Sequence, residues 1–260
     1  MRIVTPRPGE PRRPQGPRDP GDAWVIADSG EKYWGRFGAA GLLAVDPQRG
    51  ILLQHRAGWS HFGGTWGIPG GACHQGEDAM DGALRESAEE AGVPRDAVRP
   101  RCISVLDKQV WTYTTVLADV VTPFEPQISD QESLDLRWVP IDELTGYPLH
   151  PGFGRSWPTL RQLIDVRPVL VVDTSSVADP VLVETVGKRG ITAEHLGLQG
   201  STWFPEVVRV SDCQEAVRTA LNLAASSPYI TLVSDCGCSS RDLVDSGVRV
   251  RSGEWLTSLL

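Results

Sequence analysis

No apolar run in this chain approaches the ~20 residues that a helix needs to cross a bilayer, so no membrane span is expected. Cysteine is scarce: Cys73, Cys102, Cys213, Cys236 and Cys238 are the five in 260 residues, an odd number and mostly scattered. That usage reads as free thiols in a reducing, cytoplasmic compartment. Cys236-Gly-Cys238 has no second Cys or His cluster beside it, which argues against zinc. Positive charge is not in excess either. A formal net charge of −8 speaks against a protein that grips nucleic acid nonspecifically. Residues 1–22 hold six prolines and several arginines and almost nothing apolar. Such a composition buries too little surface to fold alone, so this arm is expected to be mostly disordered. Arg12-Arg13 lacks the following apolar stretch of a twin-arginine signal, and no export is expected.

What is present is ordinary for a globular protein. Hydrophobic residues make up 40% and charged residues 22% of a chain long enough for two modest domains. One stretch stands out, residues 70–93, reading GGACHQGEDAMDGALRESAEEAGV. Helix formers between Asp78 and Ala91 predict a helix, and Gly92 sits where a C-terminal cap belongs. Glu86, Glu89 and Glu90 stand at i, i+3 and i+4 and are expected on one face. Three like charges that close repel one another, so something positive should face them. One reading is a solvated acidic surface with Arg85 paired to Glu89; the other is an oxygen-ligand site for a hard cation, Mg²⁺ or Mn²⁺.

The spacing favours the second. Gly71, Glu77, Arg85-Glu86, Glu89-Glu90, Gly92 and Val93 reproduce a Gly-x5-Glu-x7-Arg-Glu-x-x-Glu-Glu-x-Gly-apolar pattern. The stretch resembles the Nudix box over its full length, with Ser87 in a slot that is usually apolar. A slightly looser helix is expected there. The resemblance implies a Nudix α/β/α sandwich with a mixed sheet over residues 23–165. It implies metal ligation by Glu86, Glu89 and Glu90 with a carbonyl from Gly70 or Gly71, and a structural role for Gly71, Glu77, Arg85 and Gly92. Glu77 is expected to pair with Arg85.

Around the box, Phe37–Val45 and Ile51–Arg56 predict a hairpin across Asp46-Pro47-Gln48-Arg49-Gly50. It delivers Arg56 towards the motif, as the first cation for a polyanionic substrate. Lys108 and Arg137 are read first as surface charge. His55 reads as a packed strand residue. Trp59, His61 and Phe62 lie on a Gly-flanked loop, where an aromatic stacks on a base or ribose or else covers the sheet edge. Trp59 and Phe62 are taken as candidate substrate contacts. Cys102–Leu106, Val110–Val121 and Leu136–Val139 predict strands. The acidic loop before the last of these offers Glu132 as a further ligand or base, with Asp135 as the alternative. Trp157–Ile164 is expected to close the domain as a helix.

Residues 166–260 change character. Val169–Asp173 and Ile230–Asp235 are apolar runs ending in acids, and their alternation with helical stretches predicts a smaller, Rossmann-like parallel α/β domain. This half faintly resembles PIN-like and NYN domains, which hold divalent metal on carboxylates to cleave RNA. Ser176 stands where an Asn of that pattern would be, and Asp173 and Asp235 also suit turn or cap roles.

The resemblance implies Mg²⁺-dependent hydrolysis of a nucleoside diphosphate linked to another group. The resemblance leaves the base open between Glu132 and one of the box glutamates, Glu86, Glu89 or Glu90. The turn around Trp66 resembles that of MutT-like nucleoside triphosphate pyrophosphohydrolases, which places (d)NTPs, oxidised ones included, first. ADP-ribose or dinucleoside polyphosphates come second, and a nucleotide-sensing module with a nucleic-acid-related C-terminal domain third. The expected partner is a small nucleotide, with no membrane and no nucleic acid; a homodimer stays open.

Overall fold

The computed structural model describes residues 1–6, 19–177, 180–237 and 241–259. Two units divide the chain, Met1–Ile164 and Asp165–Leu260.

The first unit begins with a three-stranded antiparallel sheet, β1 (Arg2–Val4), β2 (Trp24–Ile26) and β3 (Lys32–Trp34). Arg2–Val4 is a correction to the disordered arm; residues 7–18 of that arm lie outside the described residues. Ile3 and Val4 precede the first proline, and their β-branched side chains suit a strand paired in register with Val25 and Trp24. The Met1 ammonium, 2.5 Å from Asp28, fastens its start.

β4 (Ala39–Asp46) and β5 (Gly50–Arg56) form the expected hairpin. Asp46 holds its turn by accepting from the Gln48 and Arg49 amides. Two short strands, β6 (Trp66–Gly67) and β7 (Gly70–Ala72), pair with β5 and β4. Then come helix α1 (Ala79–Ala91), β8 (Val98–Asp107), β9 (Thr112–Val120), β10 (Ser133–Val139) and helix α2 (Pro151–Ile164). Within this unit the strands run β10-β5-β4-β9-β8. β4 lies parallel to β9 and the other neighbours are antiparallel, so the sheet is mixed.

β4 is buried along its whole length, as a central strand covered on both faces must be. Ala40, Leu42 and Ala44 alternate onto one face, where they pack with Ala83, Leu84 and Ala91 of α1 and with Val116 and Ala118 of β9. α2 starts six residues before the stretch read as helical and keeps Pro158 inside it. Its stripe of Phe153, Trp157, Leu160, Leu163 and Ile164 is buried, and that packing outweighs the lost backbone bond.

The second unit opens with β11 (Val169–Asp173), helix α3 (Pro180–Arg189), β12 (Ile191–Thr192), helix α4 (Ala193–Leu196) and β13 (Thr202–Trp203). It continues with β14 (Glu206–Val210), helix α5 (Cys213–Ala224), β15 (Ile230–Val233), helix α6 (Arg241–Asp245), β16 (Arg249–Arg251) and helix α7 (Gly253–Thr257). Its sheet is ordered β14-β11-β15-β16 and all pairs are parallel.

The cysteine reading is corrected here. Cys213 and Cys236 form a disulfide, while Cys73 and Cys102 are free and buried. β14 and β15 flank β11 in parallel, so the residues after their C-terminal ends emerge at one edge. Cys213 opens the helix after β14, and Cys236 follows β15. Cys238 lies outside the described residues.

Candidate active site

Helix α1 is fixed at both ends by its own sequence. The Asp78 carboxylate accepts from the Met80 amide, and Gly92, at φ 65°, turns the chain out with its N–H on the Ala88 carbonyl. Ser87 is fully buried, and its hydroxyl donates to the Leu84 carbonyl, so no polar group is stranded in the apolar slot.

The three box glutamates do not share one environment. Glu86 and Glu90 are 2% and 4% exposed and line a cavity of about 1020 Å³. Glu89 points outwards, its side chain 43% exposed and 3.3 Å from Arg85 Nη1, and it is not among the lining residues. In this structure Glu89, expected as ligand and base, stands outside the lining as an outer contact of Arg85. Residues 86 and 90 differ by about 40° around a helix and 89 and 90 by about 100°, so the face turned to the cavity takes one pair and leaves the third.

Arg85 ties the motif together. Its Nε and Nη2 donate to Glu77 Oε1 and Oε2 at 2.7 and 2.8 Å, Nη1 to Glu86 Oε1 at 2.7 Å, and Nη2 to the Ala72 carbonyl at 3.1 Å. The bond from Arg85 holds the Glu77 carboxyl down at about 2, against the opposing effect of burial. The Gly70 amide donates to Glu90 Oε2 at 2.8 Å, so Gly70 meets the carboxylates through its N–H. A Cβ on Gly71 would lie 2.6 Å from Glu86 Cδ; only glycine lets the strand pass this close.

Glu132 joins from another direction. The loop carrying it is bound to β5 by the Ala57 amide on the Glu132 carbonyl at 2.7 Å. Ser133 Oγ donates to the Glu90 carbonyl at 3.3 Å. Burial raises the Glu90 carboxyl well above its usual range, and the charges of Glu86 and Glu132 push it further, while Arg56 and the Gly70 amide oppose them. A buried carboxylate beside two others, lined by oxygen donors and without sulfur or imidazole at its centre, fits a hard divalent cation. Asp135, the alternative to Glu132, accepts from Arg137 Nε at 2.6 Å and does not line the cavity.

Arg56 stands between this end and an aromatic one. Its charge acts on Glu90 and Tyr113 on one side and lowers the pKa of His61 and His150 on the other. Burial is the larger cause for both histidines and takes His150 to about 4. Phe62, held at φ 56°, lines the cavity and meets the His61 ring at 4.2 Å and the His150 ring at 4.9 Å. Trp59, taken with Phe62 as a substrate contact, is 48% exposed and outside the lining. The loop bends between Ala57 and Ser60, whose amide returns to the Ala57 carbonyl, and carries Trp59 on its outside. Lys108 lines the cavity. His55 stacks on Trp66 at 4.7 Å, as a packed strand residue.

Several lining residues carried no signal of a site. They are Trp24, Trp34, Tyr113 and His150, none of which belongs to a motif.

In the second unit both candidate acids are engaged internally. Asp173 is fully buried and accepts from Ser175 N and Oγ, Ser176 Oγ and Ser234 Oγ. Asp235 Oδ1 accepts from the Gly253 amide at the start of α7. Among the described residues the one group of three His, Cys, Asp or Glu side chains whose ligand atoms lie within 4.8 Å of one another is Asp173 with Cys213 and Cys236. Its two sulfurs are joined to each other, and those four donors fill the carboxylate's acceptor positions.

The family model described as NUDIX domain matches residues 35–163. A protein named putative 8-oxo-dGTP diphosphatase 3 from Mycobacterium tuberculosis (strain ATCC 25618 / H37Rv) is 48% identical over 154 residues, covering 55% of this chain and 70% of that protein. A Bifidobacterium longum protein named nucleoside triphosphate pyrophosphatase/Nudix hydrolase fusion protein is 42% identical over 154 residues, 56% of this chain and 32% of its own. The crystal structure of a Nudix hydrolase from M. smegmatis, RenU, is 44% identical with a TM-score of 0.50, and covers 55% of this chain and 94% of that one.

Proposed function

The chain belongs to the Nudix family, and from that premise we propose that it hydrolyses nucleoside diphosphates linked to a further group, with (d)NTPs, oxidised forms included, as its first substrates. The observation that carries this reading is the convergence of Glu86, Glu90 and Glu132 on one cavity that continues past Arg56 to an aromatic end. A nucleotide has the same sequence of parts: polyphosphate, then sugar and base.

In this reading Glu86 and Glu90 would hold Mg²⁺ or Mn²⁺, with Glu132 beside them as the base. Such an ion, when bound, offsets charge on the phosphate oxygens and lowers the pKa of water. Arg56 binds the polyphosphate, the cation's planar fork matching its oxygens. Arg85 keeps Glu86 in place through its own clamp on Glu77. Water attacks phosphorus, the bridging P–O bond breaks towards the leaving phosphate, and the attacking water's proton passes to Glu132, which stands on a loop apart from α1. Burial of Glu86 and Glu90 excludes bulk water from the carboxylate end, where charges then interact more strongly.

A phosphate-release panel of dNTPs, 8-oxo-dGTP, ADP-ribose and dinucleoside polyphosphates, each with Mg²⁺ and with chelator, tests the proposal. Metal-dependent turnover fastest on a triphosphate supports it; preference for ADP-ribose would move the substrate assignment, and no turnover with any of them would end it. Every residue of this proposal lies in the first unit.

A further inference from the structure

Resting on the nucleotide-hydrolase reading, we propose that residues 21–34, which precede the family-matched stretch, form the base-reading wall of the cavity: Trp24 stacks on a guanine-type base and the Asp22 carboxylate accepts from its paired N–H groups.

The wall is built into the site's own framework. The family match begins at residue 35, yet Asp22, Trp24, Tyr33 and Trp34 line the cavity that also holds Glu86 and Glu90. Gly21 lies so close to the first residues of the box that a Cβ would sit 2.3 Å from the Cys73 carbonyl oxygen. The Gly21 carbonyl accepts from the Arg36 amide and the Ala23 carbonyl from the Gly35 amide, at 2.8 and 3.0 Å. The strand ladder sets Trp24 opposite Trp34.

The order of groups along the cavity places the ligand. Arg56 lines the cavity with Glu90 and donates from Nε to the His61 carbonyl at 3.3 Å, and the His61 ring meets Trp24 at 5.1 Å. Phosphates held by Arg56 at the carboxylate end would leave the base beside Trp24. That ring is half-buried, and its neighbours Trp34 and His61 cross it at 68° and 77°, so neither stacks parallel on it. An aromatic surface at the base end of a nucleotide site supports stacking on any base.

Asp22 supplies the choice. Its carboxylate is half-buried in the cavity wall and makes no side-chain hydrogen bond or ion pair among the described residues. A carboxylate repels phosphate and serves a nucleotide by accepting hydrogen bonds, from ribose hydroxyls or, where it shares a wall with an aromatic ring as Asp22 does with Trp24, from N–H groups of the base. Guanine offers two adjacent donors, N1–H and the 2-amino group, which match the two oxygens of one carboxylate. Adenine and cytosine set an acceptor beside their donor, and thymine sets acceptors on both sides of one donor. Oxidation at C8 leaves the guanine donor edge unchanged.

The full chain is assayed with dGTP and dATP and titrated with dGMP and dAMP by calorimetry, so selectivity is read with and without turnover. Wild type prefers the guanine nucleotide in both. Asp22→Asn exchanges one acceptor for a donor and so suits adenine; the dGTP:dATP ratio of kcat/KM falls by at least about tenfold, mainly through KM. Asp22→Ala weakens dGMP without strengthening dAMP. Trp24→Ala weakens both by similar factors, and Trp24→Phe recovers most of the loss. Wild-type ratios in a folded Asp22→Asn protein, or equal affinity of wild type for dGMP and dAMP, overturn the base-reading wall and leave the hydrolase standing. Selective dGMP binding without turnover of any triphosphate does the reverse.

Discussion

Arg85 grips Glu77 with two parallel hydrogen bonds, Nε to Oε1 at 2.7 Å and Nη2 to Oε2 at 2.8 Å, while its remaining nitrogen reaches Glu86 at 2.7 Å. One cation thus couples the loop before α1 to a carboxylate in the cavity. Glu77 is 15% exposed and Arg85 19%, so solvent screens the pair little. The folded carboxyl sits at about 2, below its ordinary value of 4.5. Because the folded value is depressed, the stabilisation is full above about pH 4.5 and is lost as pH falls towards 2. The gap corresponds to up to about 3 kcal/mol. Glu77→Gln should lower stability in urea by about 2 kcal/mol at pH 7, and the difference from wild type should shrink as unfolding is repeated at lower pH. A constant difference across that range would contradict the ion-pair account.

Gly71→Ala tests the close passage of β7 over α1. The added methyl carbon would lie 2.6 Å from Glu86 Cδ, so the carboxylate must move. A displacement on the order of 1 Å in a catalytic group costs roughly 100-fold in rate. The variant should keep its melting temperature within a few degrees and lose about that factor in kcat. A variant with normal kcat would mean that Glu86 is free to relocate without harm.

The box was readable because helix geometry converts a spacing into a direction: Glu86 and Glu90, four apart, emerge on the cavity side. The same arithmetic applied loosely put Glu89 with them. Which sector of the helix meets the sheet is decided by Ala83, Leu84 and Ala91 packing on β4, and that is tertiary information. The hairpin of β4 and β5 was legible from its Asp-Pro turn and Gly50, and β11 and β15 from their apolar runs. Trp24, Tyr33 and Trp34 were visible as aromatics but not as a cavity wall, because their place depends on backbone contacts with residues such as Cys73, fifty positions on in the chain. The pairing of Cys213 with Cys236 depended likewise on strand order, which no spacing reveals.

Glu90→Gln separates catalysis from folding. Glu90 lies buried beside Glu86 and Glu132, so neutralising it removes like-charge repulsion from a desolvated cluster. In metal-free buffer the variant should melt no lower than wild type. Millimolar Mg²⁺ should raise the melting temperature of wild type, since a ligand that binds only the folded state stabilises it, and should do so less for the variant. Turnover should fall by roughly two or more orders of magnitude, as for the loss of a group that acts on developing charge. Unaltered turnover in a folded Glu90→Gln protein would remove Glu90 from the ligand set.

Reduction of the Cys213–Cys236 disulfide should act on the second unit alone. The bridge spans 23 residues, from the first turn of α5 past the end of β15, and it closes the loop that carries both elements. Cross-linking a loop of this size contributes about 3 kcal/mol, chiefly by restricting the unfolded chain. Cys213→Ser with Cys236→Ser should therefore lower the stability of residues 165–260 by about that amount. In amide exchange, β11 and β15 should exchange faster, while β4 and α1 keep their protection. Nucleotide turnover should be unchanged in the same variant, because every carboxylate of the cavity lies in the first unit. Equal exchange of β11 in the bridged and unbridged proteins would show that the sheet β14-β11-β15-β16 holds without the cross-link. A fall in turnover would show instead that the second unit supports the first, a dependence that the separate cores of the two units do not require.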